Sequence, residues 1–355
     1  MSQQDSSEQS TGSSGRGYLG PIGVRVLGES VFCHRAGLIA YESPPEADDD
    51  EPRRGPRLDF FTDYDERGLE AEYERRWQHL KLMSLILIIG LLLVLMASWW
   101  SWIAVGIVAL PALWGGVETW EALRQFVSVS KSLSDYRSSP VLSSDLTPTE
   151  RMRVSWWSLR KAGFDCVKLR ESMTTPTQTL RGQPWRVLRS SHARCLPVIQ
   201  RPAGKESYGA SHAVRLAAYC HLIEACETAS SPFGIILYRG TYECDLIPIT
   251  RELKALLQKS MESAATMLAE YSVSPSHPPQ PDANCCRHCP LGRPSRVRPG
   301  VSEHKRFDQV LRPVPFDGLR SNGSVFAQFH SPCGDRFHWC PPHEDSERLR
   351  HGRPN

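Results

Sequence analysis

CLPVIQRPAGKESYGASHAVRLAAYCHLIEACETASSPFGIILYR (195–239) is the most informative stretch for the fold, because short apolar segments flank one longer amphipathic segment. CLPVIQR (195–201) and FGIILYR (233–239) are short and rich in β-branched residues, which is typical of strands. In SHAVRLAAYCHLIEACETA (211–229), apolar side chains recur at helical spacing, at Val214, Ala217, Ala218, Leu222 and Ala225. The stretch therefore predicts a strand–helix–strand unit.

Segments on both sides extend this unit. Further strands are predicted at DCVKLRE (165–171), PWRVLRS (184–190) and YECDLIPI (242–249). Helices are predicted at 147–164 and at 250–271, the second with Thr250 as its N-cap. The order α-β-β-β-α-β-β-α predicts an α/β fold, a small mixed sheet flanked by helices.

The bulk composition allows a packed core but identifies no partner. The chain has 355 residues, enough for one large or two modest domains, and 40% of them are hydrophobic. A net charge of +3 is too small to indicate nucleic acid or membrane by itself. The polar start at residues 1–16 predicts no cleavable signal peptide, so the 11 cysteines are interpreted as reduced thiols or metal ligands.

The longest apolar run, LMSLILIIGLLLVLMASWWSWIAVGIVALPALWGGV (82–117), contains no charged residue. One membrane-spanning helix needs about 20 apolar residues. The run is nearly twice that length, and tryptophans, which favour the membrane interface, divide it at Trp99, Trp100 and Trp102. It predicts a transmembrane helical hairpin with arms at about 82–98 and 102–118. Each arm is short, so either a thinned bilayer or a partly inserted hairpin fits.

Basic residues flank both arms and predict the orientation. They are Arg75, Arg76 and Lys81 before the run and Arg124, Lys131 and Arg137 after it. Positive flanks on both sides favour an integral protein of the inner (cytoplasmic) membrane with both termini and the soluble part in the cytoplasm.

The remaining composition shifts give a domain plan. A disordered start (1–16) precedes an N-terminal element (17–79) that contains a charged linker (44–57) and an amphipathic helix (68–80). The hairpin (80–119) and a helical linker (120–146) lead to the α/β core (147–284), which is followed by a Cys/His-rich, metal-binding extension (285–355).

Four pieces of this plan resemble the PD-(D/E)XK nuclease superfamily, in particular the CRISPR-associated RecB-like exonucleases. The core order α-β-β-β-α-β is similar to theirs. VRVLGESVFCHRAGLIAYES (24–43) resembles their N-terminal element with its cluster cysteine, VRLAAYCHLIE (214–224) resembles their Gln-x-x-x-Tyr helix, and CRHC (286–289) resembles their C-terminal cysteine pair. The resemblance implies a restriction-endonuclease-like fold, with the membrane hairpin inserted into it.

The catalytic pattern of that family is degenerate here. Its Gly-x-Pro-Asp motif corresponds to Gly182–Trp185, which puts tryptophan at the Asp position. Its Glu-x-Lys strand corresponds to the region of Ile199, Gln200 and Arg201, which has no carboxylate. Magnesium and manganese require oxygen ligands, so catalytic binding of either metal is not expected. A relocated site would need Glu171 or Glu206.

The expected function is therefore that of a catalytically inactive, membrane-anchored protein that binds nucleic acid or a protein partner. Arg201, Arg215 and Tyr219 are the candidate nucleic-acid contacts, because basic groups beside an aromatic ring hold phosphates and stack on bases. Arg215 stands where the family has Gln, whereas Tyr219 matches the family pattern. An active DNA exonuclease with a displaced site and a membrane-anchored zinc-binding interaction module are the alternatives.

The resemblance also implies a [4Fe-4S] cluster that joins both ends of the domain. Cys33, Cys286 and Cys289 match three of its ligand positions, and Cys333 is the candidate fourth. The alternative is a tetrahedral zinc site of Cys286, Cys289, Cys333 and Cys340. Histidines 330, 338 and 343 are further candidate ligands, and Cys285 is interpreted as a bystander. Small buried hydrophobic roles are expected for Cys166, Cys195, Cys220, Cys226 and Cys244.

Overall fold

The computed structural model describes residues 20–42, 61–97, 99, 102–143, 146–191, 193–202 and 208–273, together with positions 279, 289 and 333. The predictions for 1–16 and 44–57, and for most of 285–355, lie outside these residues. The helices are α1 (Val24–Phe32), α2 (His34–Glu42), α3 (Glu66–Ala97), α4 (Trp102–Ser138), α5 (Trp156–Lys161), α6 (Ala210–Cys226) and α7 (Arg251–Val273). The strands are β1 (Ile22–Gly23), β2 (Met152–Ser155), β3 (Asp165–Val167), β4 (Met173–Thr174), β5 (Leu180–Gly182), β6 (Arg186–Arg189), β7 (Cys195–Pro202), β8 (Phe233–Arg239) and β9 (Glu243–Pro248).

The described chain divides into two compact units. The smaller unit contains α1, α2, residues 177–181 and the part of α7 after residue 257. The larger unit contains residues 61–176 and 182–257. The predicted mixed α/β class is confirmed, since helices accompany a sheet with both parallel and antiparallel pairs.

The larger unit is built on a six-stranded sheet in the order β2-β9-β8-β7-β6-β3. Strands β3, β6 and β7 form an antiparallel meander, and α6 then connects β7 to its parallel neighbour β8. The strand–helix–strand prediction over 195–239 is thus confirmed. Gly234 allows α6 to approach closely, because a Cβ there would lie 2.8 Å from the side chain of Leu216.

The other face of the sheet carries an aromatic core. Its largest fully buried side chains include Trp156, Trp157, Phe164 and Phe233, which pack with aliphatic residues of β7, β8 and β9. Tyr136 of α4 belongs to the same cluster. The C-terminal part of α4 therefore belongs to the folded core of this unit.

The predicted helix at 147–164 is wrong over its first half. Residues 152–155 form β2, which pairs antiparallel with β9, and only 156–161 are helical. The Ser155 hydroxyl accepts a hydrogen bond from the Trp157 amide at 3.2 Å, so it caps α5 at the end of the strand. A neighbouring strand offering a free edge overrides the local helical pattern.

Helices α3 and α4 pack against each other in opposite directions. The Thr119 hydroxyl lies 3.3 Å from the Met83 carbonyl oxygen. Nearer the N-terminus of α3 and the C-terminus of α4, Arg137 donates to Glu70 at 2.6 Å. Helix α3 ends and α4 begins at the bounds expected for the two apolar arms. The predicted boundary between 79 and 80 falls inside α3, which continues from its charged part into its apolar part without a break.

Among the described helices, α3 is long and apolar enough to cross a membrane by length and composition. The most apolar window of this helix is only 6% buried within the protein. A core helix of a soluble protein would bury such a window, so the apolar surface of α3 faces outward.

In the smaller unit, α1 and α2 pack closely at Gly37, where a Cβ would lie 2.8 Å from that of Ser30. Helix α2 also contacts the last part of α7. The Tyr271 hydroxyl donates to Glu42 at 2.6 Å, and Ser263 lies 3.4 Å from His34. Strand β1 pairs parallel with residues 180–181.

Candidate functional site

The predicted cysteine ligands that the structure describes, Cys33, Cys289 and Cys333, belong to the smaller unit. Cys33 stands between α1 and α2 in an extended conformation, and its amide donates to the Glu29 carbonyl at 2.8 Å. This break in the helical backbone places a cysteine at the joint of the two helices. Cys289 and Cys333 are both buried, although they stand far from Cys33 and from each other in the sequence.

Cys33, Cys289 and Cys333 share one electrostatic environment. Burial raises the pKa of the Cys333 thiol to about 11, and the nearby thiols of Cys289 and Cys33 act in the same direction. The positive charge of Arg35 lowers this pKa in opposition. The Arg35 Nε also donates to the Pro279 carbonyl at 2.7 Å, and the residue is buried. Cys33 and Cys289, two of the predicted ligands, therefore lie near enough to influence the Cys333 thiol electrostatically.

The donor set of this region suits a soft metal. Thiolates are the usual ligands of iron–sulfur clusters and of structural zinc. No three His, Cys, Asp or Glu side chains of the described residues are arranged, as they stand, to hold an ion. Cys286 and Cys340 lie outside the described residues, as do Cys285 and the histidines at 330, 338 and 343.

The positions that were expected to correspond to the nuclease motif lie in the larger unit. Trp185 is buried in the aromatic core, with its ring centroid 6.5 Å from that of Trp156. Ile199 is buried as well, and Gln200 accepts a hydrogen bond from the Arg239 Nε at 2.9 Å. These side chains fill space or pair within the sheet. None of the three supplies a carboxylate.

The other candidate nucleic-acid contacts have different surroundings. Tyr219 of α6 is fully buried, and its hydroxyl lies 3.5 Å from the Gln183 carbonyl. A ring in that position is unable to stack on a base. Arg215 lies one turn before it and is half-buried. Arg201 is also half-buried, and desolvation lowers the pKa of its guanidinium, with Tyr238 and Asp245 acting in the opposite direction.

Strand registers place a carboxylate on the face where the family's Glu-x-Lys motif is expected. Ile199 is paired with Ile236, Ile236 with Asp245, and Asp245 with Arg153, so these four side chains form one row across β7, β8, β9 and β2. Arg201 is paired with Tyr238, two residues farther along and therefore on the same face. The carboxylate of Asp245 thus lies two strands away from Ile199, about 10 Å by strand spacing.

Asp245 is the centre of a buried polar cluster that the sequence interpretation missed. Its side chain is fully buried. Arg151 Nη2 lies 2.5 Å from Oδ2, Arg153 Nε lies 3.3 Å from Oδ1, and the Tyr238 hydroxyl donates to Oδ2 at 2.6 Å. Burial and the hydrogen bond to Asp245 raise the pKa of Tyr238 to about 12. We refer to Arg151, Arg153, Arg201, Tyr238 and Asp245 as the Asp245 cluster.

Two signals in the sequence point to this cluster. Aspartate is the one charged residue inside CDLIPI, and a buried carboxylate requires cationic or hydrogen-bonding partners. The partners Arg151 and Arg153 stand two residues apart, the spacing of one strand face, in a segment interpreted as helical. The wrong helix assignment at 147–164 therefore concealed them.

Of the two acidic residues considered for a relocated catalytic site, the structure describes Glu171 alone. Glu171 is exposed in the turn after β3, and Glu206 lies outside the described residues. Asp245 is already engaged by two guanidinium groups, which suits a structural or anion-facing role better than binding of a divalent cation.

The expectation for the remaining cysteines is met by Cys195, Cys220 and Cys244, which are buried. Cys166 is half-buried, with a pKa raised to about 12 by burial and by Asp63. The expectation is wrong for Cys226, which is exposed near the end of α6 with its sulfur 3.2 Å from the Thr174 carbonyl. A helix end faces solvent even where the helix body is buried.

No protein-family model matches the chain, and no curated protein matches it.

Proposed function

We propose that the chain is a membrane-anchored protein with a RecB-like nuclease fold that no longer cleaves nucleic acid but still binds it. The observation that carries this proposal is the row Ile199–Ile236–Asp245–Arg153. The face that would hold a metal instead has an isoleucine at the carboxylate position and a carboxylate engaged by arginines two strands away.

The strand order supports the RecB-like frame. The family's α-β-β-β-α-β order has a counterpart in α5, β3, β6, β7, α6 and β8, with a meander followed by a helical crossover to a parallel strand. The electrostatic influence of Cys33 and Cys289 on the Cys333 thiol also supports it, because the family's cluster joins an N-terminal cysteine to C-terminal ones.

Loss of catalysis is supported by the side chains at the motif positions. Trp185 occupies core volume where the family has aspartate, and Arg201 replaces the lysine. A guanidinium stays charged near neutral pH and is a poor proton shuttle. None of these motif positions supplies the carboxylate oxygen that a hard cation prefers.

The membrane anchor in this proposal is the pair α3 and α4. Thr119 contacts Met83 across the two helices. Glu118 and Lys81 are their close neighbours in the sequence, so the charged parts of both helices end at one level. From that level each apolar arm has about 16 residues and extends about 24 Å at 1.5 Å per residue. This is less than the roughly 30 Å hydrocarbon core. The pair therefore enters from the cytoplasmic side and either thins the bilayer or inserts partly.

A thiolate-bound metal in the smaller unit belongs to the same proposal. Cys33, Cys289 and Cys333 would hold it, with Cys286 or Cys340 as further ligands. An iron–sulfur cluster or zinc would supply a cross-link between distant parts of the chain, and Arg35 would offset the thiolate charge. Its role here is structural.

The test uses the full chain purified in detergent, with labelled single-stranded DNA and with magnesium or manganese present. We expect salt-dependent binding and no degradation. Metal-dependent degradation that Glu171→Gln or Glu206→Gln abolishes would overturn the proposal in favour of an active exonuclease. Absence of binding at low salt would favour the zinc-binding interaction module.

The proposed RecB-like fold is tested by measuring the metal and acid-labile sulfide content of protein prepared without oxygen. Iron with sulfide that is lost in Cys33→Ser is the expected result. Zinc without sulfide, retained in Cys33→Ser but lost in Cys333→Ser, would separate the C-terminal cysteines from the N-terminal element and remove that support. Cys226→Ser is the matched control, because Cys226 is an exposed cysteine in the larger unit.

A further inference from the structure

The Asp245 cluster groups charged side chains at the β2–β9 side of the six-stranded sheet. Three guanidinium groups, Arg151, Arg153 and Arg201, act on one fully buried carboxylate. The one further carboxylate near them is the half-exposed Glu243, 3.8 Å from Arg153, as far as the described residues go. Within the described part of the chain, three guanidinium groups thus face two carboxylates.

The arginines of the cluster reach solvent although their partner does not. The side chains of Arg151 and Arg153 are 39% and 40% exposed, whereas that of Asp245 is 0% exposed. Each guanidinium carries five N–H donors in a fixed plane, and one or two of them are enough to hold the carboxylate. A buried anchor thus orients two cationic groups at the surface.

An aromatic ring completes the site. Tyr208 lies under the Arg151 guanidinium, 5.0 Å from ring centroid to Cζ, at the residue that precedes the start of α6 by two positions. Tyr208 is half-buried. A partly exposed ring beside oriented arginines is the combination found in proteins that bind single-stranded nucleic acid.

We infer that Arg151 and Arg153, positioned by Asp245, bind the phosphate backbone of single-stranded nucleic acid. This inference rests on the proposed function and locates its binding surface at the β2–β9 side of the sheet. It transfers the contact role from Tyr219, whose ring is fully buried, to residues that solvent reaches. Asp245 is a positioning residue and does not touch the ligand.

The experiment measures binding of a fluorescein-labelled single strand of about 20 nucleotides to the detergent-purified full chain. Fluorescence anisotropy is recorded over a salt series of roughly 50 to 300 mM. The variant Arg151→Gln, Arg153→Gln is expected to bind about tenfold more weakly or worse, and its slope of log affinity against log salt is expected to fall by about two. Arg151→Lys, Arg153→Lys retains the charges and is expected to keep most of the slope.

Arg189→Gln is the matched control. The Arg189 side chain is 42% exposed and pairs with Glu227 at 2.7 Å, but it lies on β6, away from the cluster. It is expected to leave affinity and slope unchanged. Equal loss in Arg189→Gln and in the double variant would mean that net charge alone matters, which overturns the inference.

Asp245→Asn separates positioning from simple electrostatics. It removes a negative charge, so a merely basic surface would bind DNA more tightly. Loss of orientation predicts weaker binding instead, and tighter binding overturns the positioning role. If this variant does not fold, the Gln and Lys double variants still decide the contact role.

The outcomes also separate this inference from the function on which it rests. A wild-type chain that binds DNA with its salt slope unchanged by Arg151→Gln, Arg153→Gln, but reduced by Arg201→Gln, Arg215→Gln, would overturn the inference and leave the function standing. A wild-type chain that does not bind the strand at all would overturn both.

Discussion

Two apolar segments of this chain have nearly the same residue types and opposite surroundings. In β8, Ile235, Ile236 and Leu237 are completely buried. In α3, Ile88 and Leu92 are each 55% exposed, and their apolar neighbours along the helix are similarly exposed. Burial in β8 is achieved by strands on both sides and by α6, whereas in α3 one helix, α4, covers only part of the surface.

The contrast indicates which solvent each segment requires. Exposing so many leucine and isoleucine side chains to water would cost roughly 25 cal/mol for each Å² of apolar area. A helix satisfies all its backbone hydrogen bonds internally, so it tolerates an apolar environment without further partners. Strand β8 finds its apolar surroundings within the protein, whereas the surface of α3 is suited to lipid.

Helix α4 contains both environments along its length. Val117 and Trp120 are exposed near its apolar end, but Val129 and Leu133 are buried against the sheet core. The Tyr242 hydroxyl joins the two parts of the unit, since it lies 3.1 Å from Ser132 Oγ and accepts from the Phe61 amide at 3.2 Å. The helical pair and the sheet are therefore parts of one core.

The largest expected effect comes from charging the apolar surface of α3. Ile88→Arg, Leu92→Arg puts two arginines near the middle of the arm, each costing about 2.5–3.5 kcal/mol of insertion free energy. We expect membranes washed at alkaline pH to release most of the variant, whereas the wild type sediments with them. Glu74→Arg, Gln78→Arg, on the charged part of the same helix, is the control and should sediment like the wild type. Equal sedimentation of all three proteins would argue against a membrane role for this surface.

Truncating matched leucines in the two regions gives the next largest difference. Leu237→Ala should lower the free energy of unfolding by about 2–5 kcal/mol, because it leaves a cavity in the aromatic core. Leu92→Ala should change it by less than about 0.5 kcal/mol in detergent, because its site is not enclosed by protein. Denaturant unfolding followed by tryptophan fluorescence measures both. Similar losses would mean that α3 is packed against protein in solution.

The link between α4 and the sheet is tested by Tyr242→Phe. The change leaves the buried Phe61 amide without its acceptor, so the free energy of unfolding should fall by about 1–3 kcal/mol. Tyr41→Phe is the control, because Tyr41 is exposed in the smaller unit, and it should have little effect. An unchanged unfolding midpoint for Tyr242→Phe would show that the two parts of the larger unit are not coupled through this hydroxyl.

The smallest effect concerns alkaline pH and Tyr238. The folded-state pKa is raised to about 12, above the ordinary value near 10, so folding favours the neutral phenol. The corresponding stability is fully present below about pH 10 and is lost as pH rises from 10 through 12. Tyr238→Phe should therefore lose less stability than the wild type between these values, measured as unfolding midpoints. Parallel pH profiles for the two proteins would contradict the prediction.

Local patterns were enough to predict several elements. The apolar run predicted the end of α3 and the start of α4 to within a residue or two, because an uncharged run of such length is typical of long apolar helices. The cap at Thr250 also follows from local chemistry, and its hydroxyl accepts from the Leu253 amide at 3.2 Å. These features depend on interactions within a few residues.

The failures have a common physical origin. β2 was predicted as helix because its pattern is ambiguous until β9 is beside it, and the short strands β1, β4 and β5 carry no periodic signal at all. Arg151 and Arg153 are hydrogen-bonded to Asp245, which is more than 90 residues away in the chain. No local spacing indicates such a pair.

The order of residues is thus sufficient to identify the apolar segments and the turn between the two long helices. Only the tertiary structure shows the row that joins Ile199 to Asp245 and the burial of Tyr219, Trp185, Cys289 and Cys333. The reason is that periodicity reports the solvent preference of a side chain, whereas strand register and long-range packing choose its neighbours.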